Sequence, residues 1–246
     1  MDRSLYIAMS GAKQTLLAQT ANANNLANAQ TTGFKSDFEQ FRAMPVFGPG
    51  FPSRVYAMAE RPGSDFGMGT IQTTDNDLDI AIKGEGWFAV EGKDGKEGYT
   101  RAGDLSITPE GRLLNGSGLA ILGEGGPITI PPAEKIEIGN DGTISVIPLG
   151  DNQATLAVID RIKMVKIDPS NLEKLNDGLM HTKDGAAQIA SADITLVQGA
   201  LEGSNVNAVS ALVEMIELAR NFELQIKAMK NADENSGIGA KLMQMA

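Results

Sequence analysis

The sequence contains no cysteine and only one histidine, His181, in 246 residues. The missing cysteines exclude disulfide bonds and Cys-ligated zinc, and the shortage of histidine leaves few ways to build a nucleophile and base pair. Neither a Gly-x-Ser-x-Gly elbow nor a Walker loop is present. We therefore expect that the chain is not an enzyme and has no catalytic residue, no cofactor and no metal ligand.

Positive charge and long hydrophobic runs are also scarce. Lysine and arginine number 21 against 31 acidic residues, which gives a net charge of -10, and basic residues form no block. This balance argues against nucleic acid or an anionic membrane surface as a partner. No stretch approaches the roughly 20 apolar residues of a membrane span, and residues 5–9 are too short for a signal-peptide core. We expect no direct membrane insertion and no cleaved signal peptide.

The first pattern that is present is helical and occupies residues 1–35. Apolar residues recur at steps of three and four, as in the seam of a coiled coil. They are Leu5, Met9, Ala12, Leu16, Ala23 and Leu26. Glycine, threonine and asparagine residues in the same stretch lower its helix propensity, so the helix needs a partner. We expect it to end at Asn28 or Gln30, with Gly33 in a left-handed turn beyond it.

Residues 36–72 predict an extended connector. Phenylalanines lie in and just before this stretch, and prolines and glycines then break it, which argues against a long regular element. The breaking residues include Pro45, Pro49, Gly50, Pro52, Pro62 and Gly63. A loop packed on the next domain and a subunit contact are equally compatible with the pattern.

Residues 73–200 have the pattern of short antiparallel strands. Apolar and polar residues alternate at residues 78–83, and glycine turns follow about every ten residues. Parallel βαβ units are unlikely to form because nothing between the strands is helical. The pattern predicts an outer β-rich domain, either barrel-like or sandwich-like.

Residues 201–246 return to a helical pattern with two adjacent apolar seams. One seam contains Val209, Leu212, Ile216, Ala219 and Ile226. The second contains Ala208, Ala211, Met215, Leu218, Phe222 and Met229. Together they are wider than a two-stranded coiled coil needs, so we expect neighbours on more than one side and an interruption at Ser236 and Gly237. The predicted fold class is α+β with a mainly β centre, in which both terminal helices pair as a coiled-coil-like α-domain.

Motifs along most of the chain resemble the family of bacterial flagellar rod, hook and hook–filament-junction axial proteins. The N-terminal motifs are Asn-Asn-Leu-Ala-Asn at residues 24–28 and Thr-Gly-Phe-Lys at residues 32–35. The C-terminal ones are Leu-Glu-Gly-Ser-Asn-Val at residues 201–206 and Ala-Asp-Glu at residues 232–234. Residues 73–79, 86–88 and 99–103 resemble the segment that rod and hook proteins share. One departure is Asp77, which stands where the family usually has proline.

The resemblance implies a structural subunit of the flagellar basal-body rod, located in the periplasm. Such subunits leave the cell unfolded through the flagellar type III export apparatus. They then assemble helically with copies of themselves and with other rod proteins into the drive shaft that carries torque to the hook. Residues 2–12 and 216–223 are most similar to subunits of the proximal rod, and a distal rod subunit is the alternative within the family.

The resemblance and the helical seams together imply an assembly interface on both terminal segments. The expected interface residues are Leu5, Met9, Leu16, Asn24, Asn25, Leu26, Asn28, Gly33, Phe34, Val209, Leu212, Met215, Ile216, Leu218, Phe222, Ile226 and Met229.

Two other interpretations compete with this one. A periplasmic adaptor that bridges membrane complexes fits less well, because its helical hairpin lies mid-chain and it carries a signal or an anchor. Asp75, Asp77 and Asp79 imitate the opening of a calcium loop, but Ile80 occupies the glycine position and Gly86 the glutamate position. A solvated turn before a strand is therefore the favoured interpretation of this triplet.

Overall fold

The chain divides into two compact units, which are described separately below. The computed structural model describes residues 4–45, 47, 55–148 and 156–244, apart from the side chains of residues 40, 59–62 and 242. The helical unit comprises Met1–Ala29, Ser36–Asp65 and Val206–Ala246, and the β unit comprises Gln30–Lys35 and Phe66–Asn205.

The helical unit is built on two antiparallel helices, α1 (Ser4–Ala27) and α2 (Ala208–Gln244). The Asn22 side-chain amide of α1 donates to the carbonyl of Ala211 at 2.7 Å, and a Cβ on Gly11 would lie 3.0 Å from the side chain of Gln225. The residue numbers therefore rise along one helix and fall along the other. The predicted pairing of the terminal helices is confirmed.

The second helix is longer than the sequence pattern indicates. It runs for 37 residues through Ser236 and Gly237, so the predicted interruption there is wrong. A glycine inside a helix costs only about 1 kcal/mol relative to alanine. The alanine, lysine, leucine and methionine residues that follow are good helix formers and continue the helix past that point.

A two-stranded antiparallel sheet completes the helical unit. Strand β1 (Asp37–Pro45) pairs with β2 (Val55–Ser64), with a bulge between Glu39 and Phe41. The prediction that prolines prevent a long regular element in this stretch is therefore wrong. Both strands are edge strands, and Pro45 is the last residue of its strand, so a proline there need not remove a ladder hydrogen bond. The predicted breaks at Pro49, Gly50 and Pro52 lie outside the described residues.

The β unit contains short strands whose pairings are all antiparallel. In chain order they are β3 (Ile71–Thr73), β4 (Ile80–Lys83), β5 (Trp87–Glu91), β6 (Glu97–Thr100), β7 (Leu105–Ile107), β8 (Leu113–Asn115), β9 (Ala120–Ile121), β10 (Ala133–Ile138), β11 (Thr143–Pro148), β12 (Ala157–Arg161), β13 (Met164–Val165), β14 (Leu172–Lys174), β15 (Met180–Thr182), β16 (Thr195–Gln198) and β17 (Ala200–Glu202). A single 3-10 turn, Pro169–Asn171, precedes β14 within the described residues.

The largest sheet has the order β14-β15-β6-β5-β9-β8-β7, with β13 also paired to β5. A second sheet has the order β10-β11-β12. Across the described part of the chain this order leaves free edges, so the barrel-like alternative is wrong and the antiparallel β-rich prediction is confirmed. The main core lies under these sheets and includes Ile80, Phe88, Leu113, Ile121 and Ile144, all fully buried.

The first strands of the β unit pair with its last strands. Strand β3 pairs with β17, and β4 pairs with β16. The beginning and the end of the unit are thus hydrogen-bonded to each other. This closure places the segment that follows α1 near the segment that precedes α2.

Candidate assembly surface

The predicted seam of α1 lies mostly on the exposed side of the helix. Leu5, Met9 and Leu16 are 37%, 53% and 52% exposed. The buried positions of α1 are instead small or polar, namely Ala8, Ala12, Ala18 and Asn22. Small side chains allow two helix backbones to approach closely, so large apolar side chains are left pointing away from the intramolecular contact.

The two seams of α2 lie in different environments. Val209, Leu212 and Ile216 of the first seam are exposed, whereas Ala211 of the second seam is buried. Other second-seam residues are half-buried, namely Met215, Leu218, Phe222 and Met229, and Ile226 of the first seam is half-buried as well. The intramolecular pairing therefore uses the second seam and leaves the first half of the other seam uncovered.

The asparagine-rich end of α1 forms specific polar contacts. The backbone amide of Asn28 donates to the carbonyl of Asn24 at 3.1 Å, which places Asn28 at the C-terminal cap. The Asn25 side chain donates to the carbonyl of Asp37 at 2.6 Å and accepts from the amide of Asp37 at 2.8 Å. Asn25 thus attaches the start of β1 to the helix, while Asn24 stays exposed and Leu26 is half-buried.

Gly33 and Phe34 belong to the β unit rather than to the helical unit that contains the seams. Gly33 has φ of 66°, which confirms the predicted left-handed turn, and its amide donates to the carbonyl of Glu202 at 2.7 Å. The ammonium of Lys174 lies 4.1 Å from the centre of the Phe34 ring. A third residue of the same motif, Lys35, is 1% exposed.

The β1–β2 pair adds exposed apolar side chains that sequence analysis did not assign to a site. They are Phe38, Phe41, Met44, Val55 and Met58. The signal that could have found them was the run of phenylalanines in a stretch interpreted as a connector, for which a subunit contact was one of two open alternatives. Ser10 of α1 donates a hydrogen bond to the carbonyl of Ala57 at 3.1 Å, so the pair rests on α1.

Two other candidate sites from the sequence, His181 and the aspartate triplet, make local side-chain contacts. His181 contacts Asp177 through a 2.8 Å hydrogen bond near the surface. Asp79 accepts hydrogen bonds from Thr74 at 2.6 Å and Asn76 at 3.0 Å, which is the arrangement of a capped turn.

Over the described ranges, no three His, Cys, Asp or Glu residues are grouped in a way that could hold a metal ion. Among the same residues, no helix combines the length and apolar character needed to cross a membrane.

Three family models match the chain. The model described as "Flagella basal body rod protein" matches residues 5–35, "Flagellar hook protein FlgE/F/G D1 domain" matches residues 81–146, and "Flagellar basal body rod FlgEFG protein C-terminal" matches residues 197–242. The chain is also similar to the flagellar basal-body rod protein FlgF of Salmonella typhimurium (strain LT2), with 40% identity over 100% of both chains. The chain belongs to the FlgF family of flagellar basal-body rod proteins.

Two further relatives support the same family. FlgF of Escherichia coli (strain K12) is 41% identical over 100% of both chains. The flagellar basal-body rod protein FlgG of Buchnera aphidicola subsp. Schizaphis graminum is 30% identical over 94% of this chain and 96% of its own length. Identity to the FlgF proteins of Salmonella typhimurium and Escherichia coli is thus higher than identity to this FlgG protein, and neither the distal rod alternative nor the periplasmic adaptor is favoured.

Membership in this family defines the general function of the chain. It is a structural subunit of the flagellar basal body, where it assembles with other rod subunits, and it is not an enzyme. Its site is therefore an assembly surface, and the exposed apolar side chains of the helical unit are the candidates for it.

Proposed function

We propose that this rod protein is a subunit of the proximal rod and enters its helical lattice through the exposed apolar faces of its terminal helices. One observation supports this proposal most directly. Four large apolar side chains of the predicted seams, Met9, Leu16, Val209 and Ile216, are more than half exposed in the single chain. An ordinary helix pair would bury such residues and expose smaller or polar ones.

The free energy available at this surface favours assembly. Full burial of a leucine, isoleucine or methionine side chain contributes about 1.5 to 3 kcal/mol. Met9, Leu16, Val209, Leu212 and Ile216 together therefore offer several times that amount before the entropic cost of association is subtracted. A contact between different faces of successive copies generates an open helical filament when the rotation between copies does not close into a ring.

The β1–β2 pair extends the proposed surface within the same unit. Phe41 and Met44 of β1 and Met58 of β2 are about half exposed, and the sheet contacts α1. Aromatic and methionine side chains are enriched in the cores of protein interfaces. We assign this sheet to contacts between neighbouring rod subunits, which adds to the residues expected from the sequence.

We further propose that the subunit reaches the rod through the flagellar export apparatus and keeps its N-terminus. The family membership and the absence of cysteine support passage of an unfolded chain into an oxidising compartment. The mass of the N-terminal peptide from purified basal bodies tests this point. A mature N-terminus within α1 would contradict it, as would secretion of the protein by cells whose flagellar export is blocked.

Charge placed on the seam tests the assembly surface. Leu16→Asp and Ile216→Asp should each leave the purified subunit soluble with an unchanged melting temperature of the β unit. Both should abolish rod completion and swimming, because an unpaired charge buried in the lattice costs several kcal/mol in every copy. The readouts are calorimetry of the monomer, electron microscopy of basal bodies and motility.

Two control variants make the result interpretable. Leu16→Met keeps an apolar side chain of similar volume and should assemble normally. Lys93→Asp introduces a carboxylate on an exposed turn of the β unit and should also be tolerated. The assembly surface would be wrongly assigned if both aspartate variants on the helices completed normal rods.

A further inference from the structure

The interior of the β unit contains three ionised side chains in direct contact. Glu202 lies between two cations: Lys35 approaches one of its carboxylate oxygens at 2.7 Å, and Arg101 approaches the other at 2.8 Å. The exposed fractions of the three residues are 1%, 3% and 1% for Lys35, Arg101 and Glu202. These residues come from distant parts of the chain and form one buried cluster.

Backbone groups add further hydrogen bonds to this cluster. The Lys35 ammonium donates to the carbonyl of Gly67 at 2.7 Å, and the Arg101 guanidinium donates to the carbonyl of Gly84 at 2.7 Å. The amide of Gly69 donates to Glu202 at 3.0 Å. A Cβ on Gly69 would lie 2.0 Å from the carbonyl oxygen of Gly203, so only glycine fits this close approach. Burial lowers the pKa of Arg101, which the carboxylate of Glu202 opposes.

The cluster lies where the chain enters and leaves the β unit. Lys35 is the last residue of the segment that follows α1, and Glu202 ends the last strand before α2. Backbone hydrogen bonds join the same two segments, from Gly33 to Glu202 at 2.7 Å and from Asn205 to Phe34 at 3.3 Å. The ion contacts therefore fasten the entry segment and the exit segment to each other.

Stability alone is a weak explanation for such a cluster. The desolvation of buried ions often exceeds the attraction between them, and well-packed apolar residues of similar volume can stabilise a fold equally well. Removal of one partner, however, leaves an uncompensated charge and is strongly unfavourable. Buried ions therefore penalise every arrangement except the one in which all partners meet.

We infer that Lys35, Arg101 and Glu202 form a positioning clamp that fixes the segment of the β unit that follows α1 against the segment that precedes α2. In a drive shaft these two segments carry part of the force that passes along the chain within each subunit. The clamp keeps them from sliding past each other when torque rises. The inference rests on the role as a rod subunit and adds named residues that assembly alone does not require.

Amide hydrogen exchange of the full-length subunit tests the clamp locally. Glu202→Gln leaves two buried cations without their anion, so exchange of the Gly33 and Asn205 amides should accelerate at least about a hundredfold. Lys35→Met keeps the Arg101 contact and should have a smaller effect. The double variant should exchange more slowly than Glu202→Gln alone, because removal of Lys35 relieves one unpaired charge.

Rotation under load tests the mechanical role. Cells that carry Lys35→Met should build rods and hooks but stop swimming at a medium viscosity at which wild-type cells still swim. Lys163→Met is the matched control. It breaks a 2.8 Å ion pair with Glu97 in the same unit, and neither residue belongs to the entry segment or the exit segment. It should change neither the exchange of Gly33 and Asn205 nor swimming at high viscosity.

A general loss of stability is separated from clamping by a core variant. Leu113 is fully buried in the main core, and Leu113→Ala should lower the melting temperature without selective exchange at Gly33 and Asn205. The clamp would be refuted if Lys35→Met left these amides as protected as in the wild type, or if Leu113→Ala produced the same viscosity limit. The assembly surface is tested separately, since Leu16→Asp should block rod completion while the Gly33 and Asn205 amides stay protected, and normal rods in Leu16→Asp and Ile216→Asp would contradict that surface without affecting the clamp.

Discussion

Gly33 shows how one residue joins two constraints in this rod protein. Its φ of 66° belongs to the left-handed region, and a Cβ there would lie 2.3 Å from the backbone nitrogen of Ala102. The first constraint disfavours any residue with a side chain, and the second excludes one sterically because backbone atoms cannot move aside. Only glycine can occupy this position and donate its amide to the backbone carbonyl of Glu202.

Gly33→Ala should therefore destabilise the β unit strongly. The left-handed conformation costs roughly 1 to 2 kcal/mol for alanine, and the backbone clash adds about 1 to 3 kcal/mol. Gly95→Ala is the matched control, because Gly95 has φ of 75° but open space around the position of a Cβ. Denaturant unfolding should show the larger loss for Gly33→Ala. Equal losses in the two variants would mean that the contact with Ala102 has no energetic importance.

Asparagine residues of α1 illustrate what propensity misses. At the level of sequence they only weaken the helix, yet Asn22 is buried and bonded to α2, and Asn25 exchanges two hydrogen bonds with Asp37. Propensity scales describe an isolated helix, whereas these side chains gain partners only after tertiary contacts form. The motif at residues 24–28 was recognised from its resemblance, but its contacts required the structure.

At the scale of elements, the contact between α1 and α2 depends on small side chains. Gly11, Ala18 and Asn22 follow one face of α1, and this face meets α2 at Gln225 and Ala211. Alanine and glycine contribute little to a hydrophobic pattern, so periodicity identified both helices but could not identify the face through which α1 meets α2. The larger residues of α1 dominated its pattern, although Leu5, Met9 and Leu16 lie on the exposed side.

The helix contact predicts a size limit at Ala18. Ala18→Leu should push the helices apart and cost about 1 to 3 kcal/mol, because the new side chain overfills a close contact. Ala23→Leu makes the same substitution at an exposed position of α1 and should be nearly neutral. The measurement is the thermal loss of helical circular dichroism in the full-length subunit. If Ala18→Leu melted at the same temperature as Ala23→Leu and the wild type, the interface would have room for larger side chains.

The β1–β2 pair marks the other limit of sequence interpretation at this scale. Pro45 and Pro62 lie in these strands, and proline within a run usually argues against a strand. An isolated pair has two edges, where proline is tolerated, and contact with α1 supplies the support that a lone hairpin lacks. The short strands of the β unit were predictable because regular alternation and glycine turns agree with each other.

At the scale of the whole molecule, charge and apolar surface are separated between the units. Acidic and basic residues nearly balance in the helical unit, whereas almost all of the net charge of -10 lies on the β unit. Copies of the β unit therefore repel one another, while the exposed apolar residues of the helical unit attract. Assembly should depend on the difference between these two effects.

Ionic strength should accordingly control self-association of the purified subunit. Added salt shortens the Debye length from about 30 Å at 0.01 M to about 8 Å at 0.15 M, which screens repulsion but leaves apolar contacts intact. At a fixed protein concentration, sedimentation should show larger assemblies at about 0.15 M salt than at about 0.01 M salt. Leu16→Asp should remain monomeric in both conditions, and dissociation of the wild-type subunit on addition of salt would contradict the electrostatic explanation.

The uncovered seams of the terminal helices have a further consequence for temperature. Removal of apolar surface from water is driven mainly by entropy near 25 °C and lowers the heat capacity of the system. A lattice held by Met9, Leu16, Val209 and Ile216 should therefore tighten as it is warmed and loosen as it is cooled. The small residues inside the helix pair leave the larger side chains exposed, so we expect the contacts between rod subunits to weaken in the cold.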